Sequence, residues 1–216
     1  MTVKGTTPAR LRLARAALAA LFVSFACADA RAQTPAPAAE LSAALRRAFG
    51  ESVEPVTRFR PYHLTGDFNH DRAEDLFVVV RLKARRDALP PGVKVVNPFG
   101  YDDAGGNASP SLAFAVIHGG PGGWRAGNAA ARFLLAGGSP VLILGHERAT
   151  SVDVSGTRNL MELVARADAR KRRSYARMKL PASARGDWVL VGTEAAEALV
   201  YWNGTTYRYT EDPEGY

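Results

Sequence analysis

The sequence predicts an α+β fold, mainly antiparallel β-sheet with an N-terminal helix, in a single globular domain over residues 40–216. Three observations carry that expectation. Apolar residues recur at helical spacing just after a proline-containing tether. Several short β-branched and aromatic runs follow, separated by glycine, proline and asparagine. Near the C-terminus an Asn203-Gly204 pair lies between two alternating segments, the strongest short-range hairpin signal.

The chain opens with a basic segment, Lys4, Arg10, Arg12 and Arg15, and has no acidic residue before Asp29. An apolar run, Ala16 to Ala28, comes next, followed by small residues in A-x-A form at Ala28-Asp29-Ala30 and Ala30-Arg31-Ala32. A charged start, a short apolar core and a small-residue site make a secretory signal, so residues 1–32 are expected to be removed after Ala32. The apolar run is shorter than the roughly 20 residues that a membrane-spanning helix requires, and no transmembrane segment is expected in the mature chain. Lipid attachment at Cys27 calls for an aliphatic residue and then a small one at the positions held by Ser24 and Phe25, which do not match. A mitochondrial transit peptide shares the Arg-rich, acid-poor character, but the compact apolar core favours export. The expected destination is a bacterial periplasm or the extracellular space.

Processing changes the charge. Losing Lys4, Arg10, Arg12, Arg15, Arg31 and Asp29 takes the 28 basic and 21 acidic residues to 23 and 20, so the net charge falls from +7 to +3. That balance argues against a nucleic-acid partner. Cys27 is the single cysteine, so the mature chain has no disulfide, thiolate metal site or cysteine nucleophile.

Residues 33–39, with Pro35 and Pro37, read as a linker. Leu41, Leu45, Ala48 and Phe49 then share one face of a helix that Gly50 terminates, with Glu40, Arg46 and Arg47 towards water. Leu76 to Val80 is a run expected of a strand buried on both faces, as are Ala113 to Ile117 and Val141 to Leu144. Between the first two, Asp87 to Pro110 reads as a long loop holding a short strand at Val93 to Val96. A basic cluster from Arg166 to Lys179 ends in an alternating segment, Ala176, Met178 and Leu180 against Tyr175, Arg177 and Lys179. It reads as a solvated strand face and charged loop, or as the Arg170 to Lys179 contact of an anionic surface. At the C-terminus a two-residue turn would pair Trp202 with Thr205, Val200 with Tyr207 and Ala198 with Tyr209. Trp202, Val200, Tyr207 and Tyr209 would then share the core face, with Tyr201, Arg208 and Thr210 on the other.

Thr65 to Leu76 is the stretch with the clearest chemistry. Asp67, Asn69, Asp71 and Asp75 occupy positions 1, 3, 5 and 9 of a nine-residue loop, and Ala73 would offer its carbonyl at position 7. Calcium takes six to eight hard oxygen ligands, and such spacing supplies most of them. Three carboxylates this close repel one another unless a cation intervenes. Position 6, usually glycine, is Arg72, and position 12 is Val78 rather than glutamate, so the loop is not an EF-hand. Two metal-free readings compete: neutralisation by the Arg72 guanidinium, and ordinary Asx turns.

The string Gly66-Asp67-Phe68-Asn69 with Asp71, Asp75 and Leu76, followed by a β-branched strand, resembles the loop of FG-GAP and VCBS-type repeats. That resemblance implies calcium at Asp67, Asn69, Asp71, Ala73 and Asp75, and a strand that joins a sheet. It spans Thr65 to Val80 in one copy; no period recurs, so a propeller is not expected. With Tyr201-Trp202-Asn203-Gly204 near the end, the whole is similar to single-domain secreted bacterial proteins of unassigned role.

His118-Gly119-Gly120-Pro121-Gly122 resembles the oxyanion segment of proline iminopeptidase-like α/β-hydrolases, in which backbone N–H groups stabilise a tetrahedral intermediate. Such an enzyme also needs a G-x-S-x-G elbow, and Gly137-Gly138-Ser139-Pro140 is not one. A glycine turn between strands fits better. His63, His70 and His146 have no ligand spacing among themselves. The leading expectation is therefore a secreted non-catalytic domain with a calcium-stabilised loop and an interaction or envelope role. The alternatives are a hydrolase using the His118 loop and an anionic-surface binder.

Overall fold

The computed structural model describes residues 38–58, 61–83, 88–98, 112–136, 161–169, 181–192 and 197–211. The chain separates into two units, Met1–Thr34 and Pro35–Tyr216, and all described residues belong to the second. The signal segment, the Val141 to Leu144 run and the Arg170 to Lys179 cluster lie outside the described residues. So do His146 and Gly137 to Pro140. No helix among the described residues is long and apolar enough to cross a membrane.

Helix α1 (Ala38–Phe49) buries Leu41, Ala44, Leu45, Ala48 and Phe49 on one face. It stops at Gly50, whose N–H donates to the Arg46 carbonyl at 2.9 Å. Among the described residues ten strands follow, and eight of them pair only antiparallel. The first sheet contains β1 (Val53–Pro55), β2 (His63–Gly66), β3 (Asp75–Leu82), β4 (Val93–Val96), β5 (Leu112–His118) and β6 (Ala131–Leu135). Its order is β1-β3-β5-β6-β4, with β2 on the same edge of β3 as β1 but further along it. The β4–β6 pairing is parallel; β4, an edge strand reached through a long connection, is the departure from the antiparallel expectation. The second sheet runs β10-β9-β8-β7, with β7 (Met161–Val164), β8 (Arg185–Gly192), β9 (Glu197–Trp202) and β10 (Tyr207–Glu211). A short helix α2 (Arg166–Ala169) follows β7.

The layers follow from the alternation of β3 and β5. Phe77, Val79, Phe114 and Val116 face the second sheet and pack with Met161, Val189, Val191, Val200 and Tyr207. Leu76, Val78, Val80, Ala113, Ala115 and Ile117 face the other way, onto Leu41, Leu45 and Phe49 of α1. Strand β3 is thus buried on both faces, as its β-branched run predicts. A smaller cluster of Val164, Trp188, Leu199 and Tyr201 sits on the outer face of the second sheet. The fold is therefore mostly antiparallel β-sheet with an N-terminal helix.

The C-terminal hairpin differs from the two-residue turn expected. Trp202 pairs with Tyr207 and Val200 with Tyr209, so Asn203 to Thr206 form a four-residue connection. The Asn203 side-chain oxygen accepts the N–H groups of Thr205 and Thr206 at 2.9 Å, and Gly204 takes the positive φ of 102°. This Asx arrangement outcompetes the tighter turn. The register moves by two residues, which preserves side-chain parity, and Val200, Trp202, Tyr207 and Tyr209 still face the shared core.

Candidate functional site

The acidic loop joins β2 to β3 and is wound by its own side chains. Asp67 accepts the N–H of Asp71 through Oδ1 and that of Arg72 through Oδ2, both at 3.0 Å. Asn69 Oδ1 lies 3.0 Å from the same Asp71 N–H, and Asn69 Nδ2 donates to Asp71 Oδ2 at 2.7 Å. Asp71 Oδ1 accepts the Ala73 N–H at 2.7 Å. Oxygens from positions 1 and 3 thus converge on a single point at position 5. The winding places His70 at φ 68° and Arg72 at φ 71°. Position 6 is where calcium loops use glycine for a sharp turn, and here an arginine adopts that turn. Arg72 enters the loop through its backbone; among the described residues no ion pair joins its guanidinium to Asp67 or Asp71.

Asp75 has a different place. It is fully buried and accepts three backbone N–H groups, from Phe68 at 2.9 Å, Asn69 at 3.3 Å and Gly119 at 2.8 Å. Burial pushes its pKa up to about 8; the N–H groups of Gly119 and Phe68 hold it back, and the nearby Asp71 and Asp67 charges push it further. Asp75 is the anchor by which the loop grips the next segment of the sheet.

That segment is the glycine-rich stretch after β5. Gly119 donates to Asp75, Gly123 donates to the Gly120 carbonyl at 2.8 Å, and Trp124 donates to the Glu74 carbonyl at 2.9 Å. Arg125 pairs with Glu74 and, at 3.2 Å, with Glu40 of α1. The two motifs singled out in the sequence therefore meet. A Cβ on Gly119 would press into the Glu74 carbonyl, so only glycine allows this approach. The same contact commits the Gly119 N–H to a carboxylate, whereas an oxyanion hole requires that donor to face the reacting carbonyl.

His118 turns inward. It is 3% exposed, its Nε2 is 2.7 Å from the Tyr207 hydroxyl, and its ring packs against Phe133, Trp202 and Tyr207. Burial lowers its pKa to about 4, with Asp71 raising it and Lys94 lowering it to smaller extents. Burial likewise raises the Tyr207 pKa well above the ordinary phenol value, so the pair is a neutral core contact. His70 is exposed, 4.0 Å from Asp67, and His63 is part-buried with its pKa lowered by burial and by Arg125.

The residue that sequence reasoning missed is Asp187 on β8. Its Oδ2 accepts the Asp67 N–H at 3.1 Å, its own N–H donates to the Asp67 carbonyl at 2.8 Å, and its Oδ1 accepts the Arg166 N–H at 3.2 Å. The neighbouring Gly186, at φ 64°, lets the strand come against the Asp67 and Phe68 carbonyls. The signal available was the Arg185-Gly186-Asp187 triplet, which by itself reads as an ordinary turn.

Asp67, Asn69 and Asp71 thus cluster at the surface, with Asp75 beneath them. Among the described residues, no three His, Cys, Asp or Glu side chains gather as a metal-holding group. The donor chemistry still suits a hard cation: every candidate is an oxygen, and each carboxylate oxygen that accepts one N–H retains a second lone pair. Comparison with protein-family models, with curated proteins and with solved structures returned no match.

Proposed function

We propose that the chain is an exported, non-catalytic β-rich domain whose acidic loop takes a calcium ion and serves an interaction or envelope role. The observation that carries the reading is the convergence of Asp67 Oδ1 and Asn69 Oδ1 on the Asp71 N–H, each at 3.0 Å. Two oxygens from positions 1 and 3 of the loop already share one focus. Asp67, Asn69 and Asp71 would hold the ion with the Ala73 carbonyl, and water would complete the shell; Asp75, whose oxygens accept the Phe68, Asn69 and Gly119 N–H groups, would support the loop from beneath rather than as a direct ligand. The ion would relieve the mutual repulsion by which Asp71 and Asp67 raise the pKa of Asp75. Its contribution is structural: it locks the loop that joins the two sheets through Asp187 and the glycine-rich turn through Asp75. The non-catalytic part of the reading is favoured by Gly119, whose N–H is spent on Asp75. Export rests on the basic start, the apolar run and the A-x-A sites.

Thermal melts with calcium and with a chelator test the loop. A ligand that binds only the folded state adds about 2.7 kcal/mol at a hundred times its Kd, so calcium should raise the midpoint by several degrees and chelator should reverse it. Asp71→Ala should remove the dependence while Arg72→Ala retains it. A wild-type melt indifferent to both additions would falsify the calcium reading.

A further inference from the structure

The connection between β9 and β10 carries chemistry of its own. Asn203-Gly204 is the one Asn-Gly pair in the chain, and it lies at the surface, with Asn203 half-buried and Gly204 and Thr205 exposed. The main-chain nitrogen after an asparagine is placed to attack that side chain's amide carbon and close a five-membered imide, and glycine obstructs the approach least because it has no Cβ. Three features of this turn favour the reaction. Asn203 Oδ1 accepts the N–H groups of Thr205 and Thr206, both at 2.9 Å, so two donors already face the oxygen on which negative charge develops. The same bonds fold the side chain back along the Gly204 peptide as an Asx turn, and the Gly204 N–H itself meets no acceptor among the described residues. Finally, the Arg185 side chain covers the glycine: its Nε is 3.2 Å and its Cζ 3.4 Å from where a Cβ on Gly204 would stand. A cation there favours both the deprotonated nitrogen and the oxyanion.

We propose that Asn203 is a site of spontaneous modification and that the folded turn promotes it. The Gly204 nitrogen gives its proton to hydroxide and attacks the Asn203 amide carbon. The bond from that carbon to Nδ2 then breaks, and Nδ2 takes up a proton from water and leaves as ammonia. Water opens the cyclic imide at either of its two carbonyls, giving aspartate from one and isoaspartate from the other. No oxidant or reductant takes part. Either product puts a carboxylate beside Arg185. Isoaspartate also lengthens the main chain by one carbon between Trp202 and Tyr207, two rings that pack on His118. The turn shares no residue with the acidic loop, and the proposal does not depend on calcium.

The experiment incubates the purified protein in mildly alkaline buffer, native and in denaturant, and follows the Asn203 peptide by chromatography and mass spectrometry. Asn203→Asp marks where the aspartate product elutes. Both products should accumulate, faster at higher pH, and the native protein should convert at least as fast as the denatured chain. Arg185 is exposed, so Arg185→Gln should leave the fold intact. It should slow the native reaction about threefold, the scale of one exposed charge contact, and leave the denatured rate unchanged. Native conversion slower than denatured would mean that the turn protects Asn203. Aspartate without isoaspartate would mean direct hydrolysis with no imide, and a native rate unaltered in Arg185→Gln would remove the cation from the reaction. Each of these three results overturns the proposal.

Discussion

At the scale of single residues, His118 shows how surroundings set chemistry. In the unfolded chain its imidazole titrates at the ordinary value of 6.5, and burial in the Phe133–Trp202–Tyr207 cluster lowers that to about 4. Between these values the unfolded chain binds a proton that the folded chain excludes. The stability it contributes is therefore fully present above pH 6.5 and is lost as pH falls towards 4. The difference corresponds to about 3 kcal/mol. Asp75 works in the opposite direction, since its pKa is raised from 3.8 to about 8 and its protonation stabilises the fold as pH drops through that range. The wild-type profile mixes the two, so the difference between wild type and His118→Gln isolates the imidazole. In denaturant titrations that difference should shrink by about 3 kcal/mol from pH 6.5 to pH 4. A difference independent of pH would show that His118 is not held neutral.

At the scale of elements, the connections are packed as closely as the strands. The acidic loop is gripped from two sides, by the glycine turn after β5 and by the start of β8, and each grip depends on a missing side chain. At Gly119 a Cβ would meet the Glu74 carbonyl and the Trp124 amide; at Gly186 it would meet the Phe68 and Asp67 carbonyls. These obstacles are backbone and cannot rotate away. Gly119→Ala should cost about 1–3 kcal/mol through overpacking. Gly186→Ala should cost about 1–2 kcal/mol more, because its φ of 64° is disfavoured for any residue with a Cβ. Chemical denaturation measures both. Loss in Gly186→Ala no greater than in Gly119→Ala would show that the start of β8 shifts to accommodate the methyl group.

At the scale of the whole described unit, β3 and β5 hold two cores together. Phe77 looks into the core between the sheets and Phe49 seals the one beneath α1, and both are fully buried. Adjacent residues of one strand, Leu76 and Phe77, belong to different cores. Losing either core exposes the other face of the same strand, so the unit should unfold in a single step. Phe49→Ala and Phe77→Ala should each cost about 3–5 kcal/mol, with tryptophan fluorescence and far-ultraviolet dichroism following one transition. Separate midpoints for the two probes in Phe49→Ala would mean that α1 and its core melt independently of the sandwich.

Much of this was legible locally. The spacing of Leu41, Leu45, Ala48 and Phe49 determines a one-faced helix, and the Leu76 to Val80 run determines a strand covered on both sides, because periodicity and branching act within a few residues. The Val93 to Val96 strand was legible for the same reason. Asp67, Asn69 and Asp71 announced a tight oxygen-lined loop, since their partners lie within five positions. Distant pairings were not legible. Tertiary structure decided that β4 runs parallel to β6, that Asp75 turns inward to the Gly119 N–H, that Asp187 crosses from the other sheet to hold Asp67, and that His118 meets Tyr207. It also decided the hairpin register, where capping by the Asn203 side chain competes with a turn of nearly the same sequence signature. Local propensity specifies which segments bury a face, and only the packed layers specify which distant polar group satisfies each buried donor and acceptor.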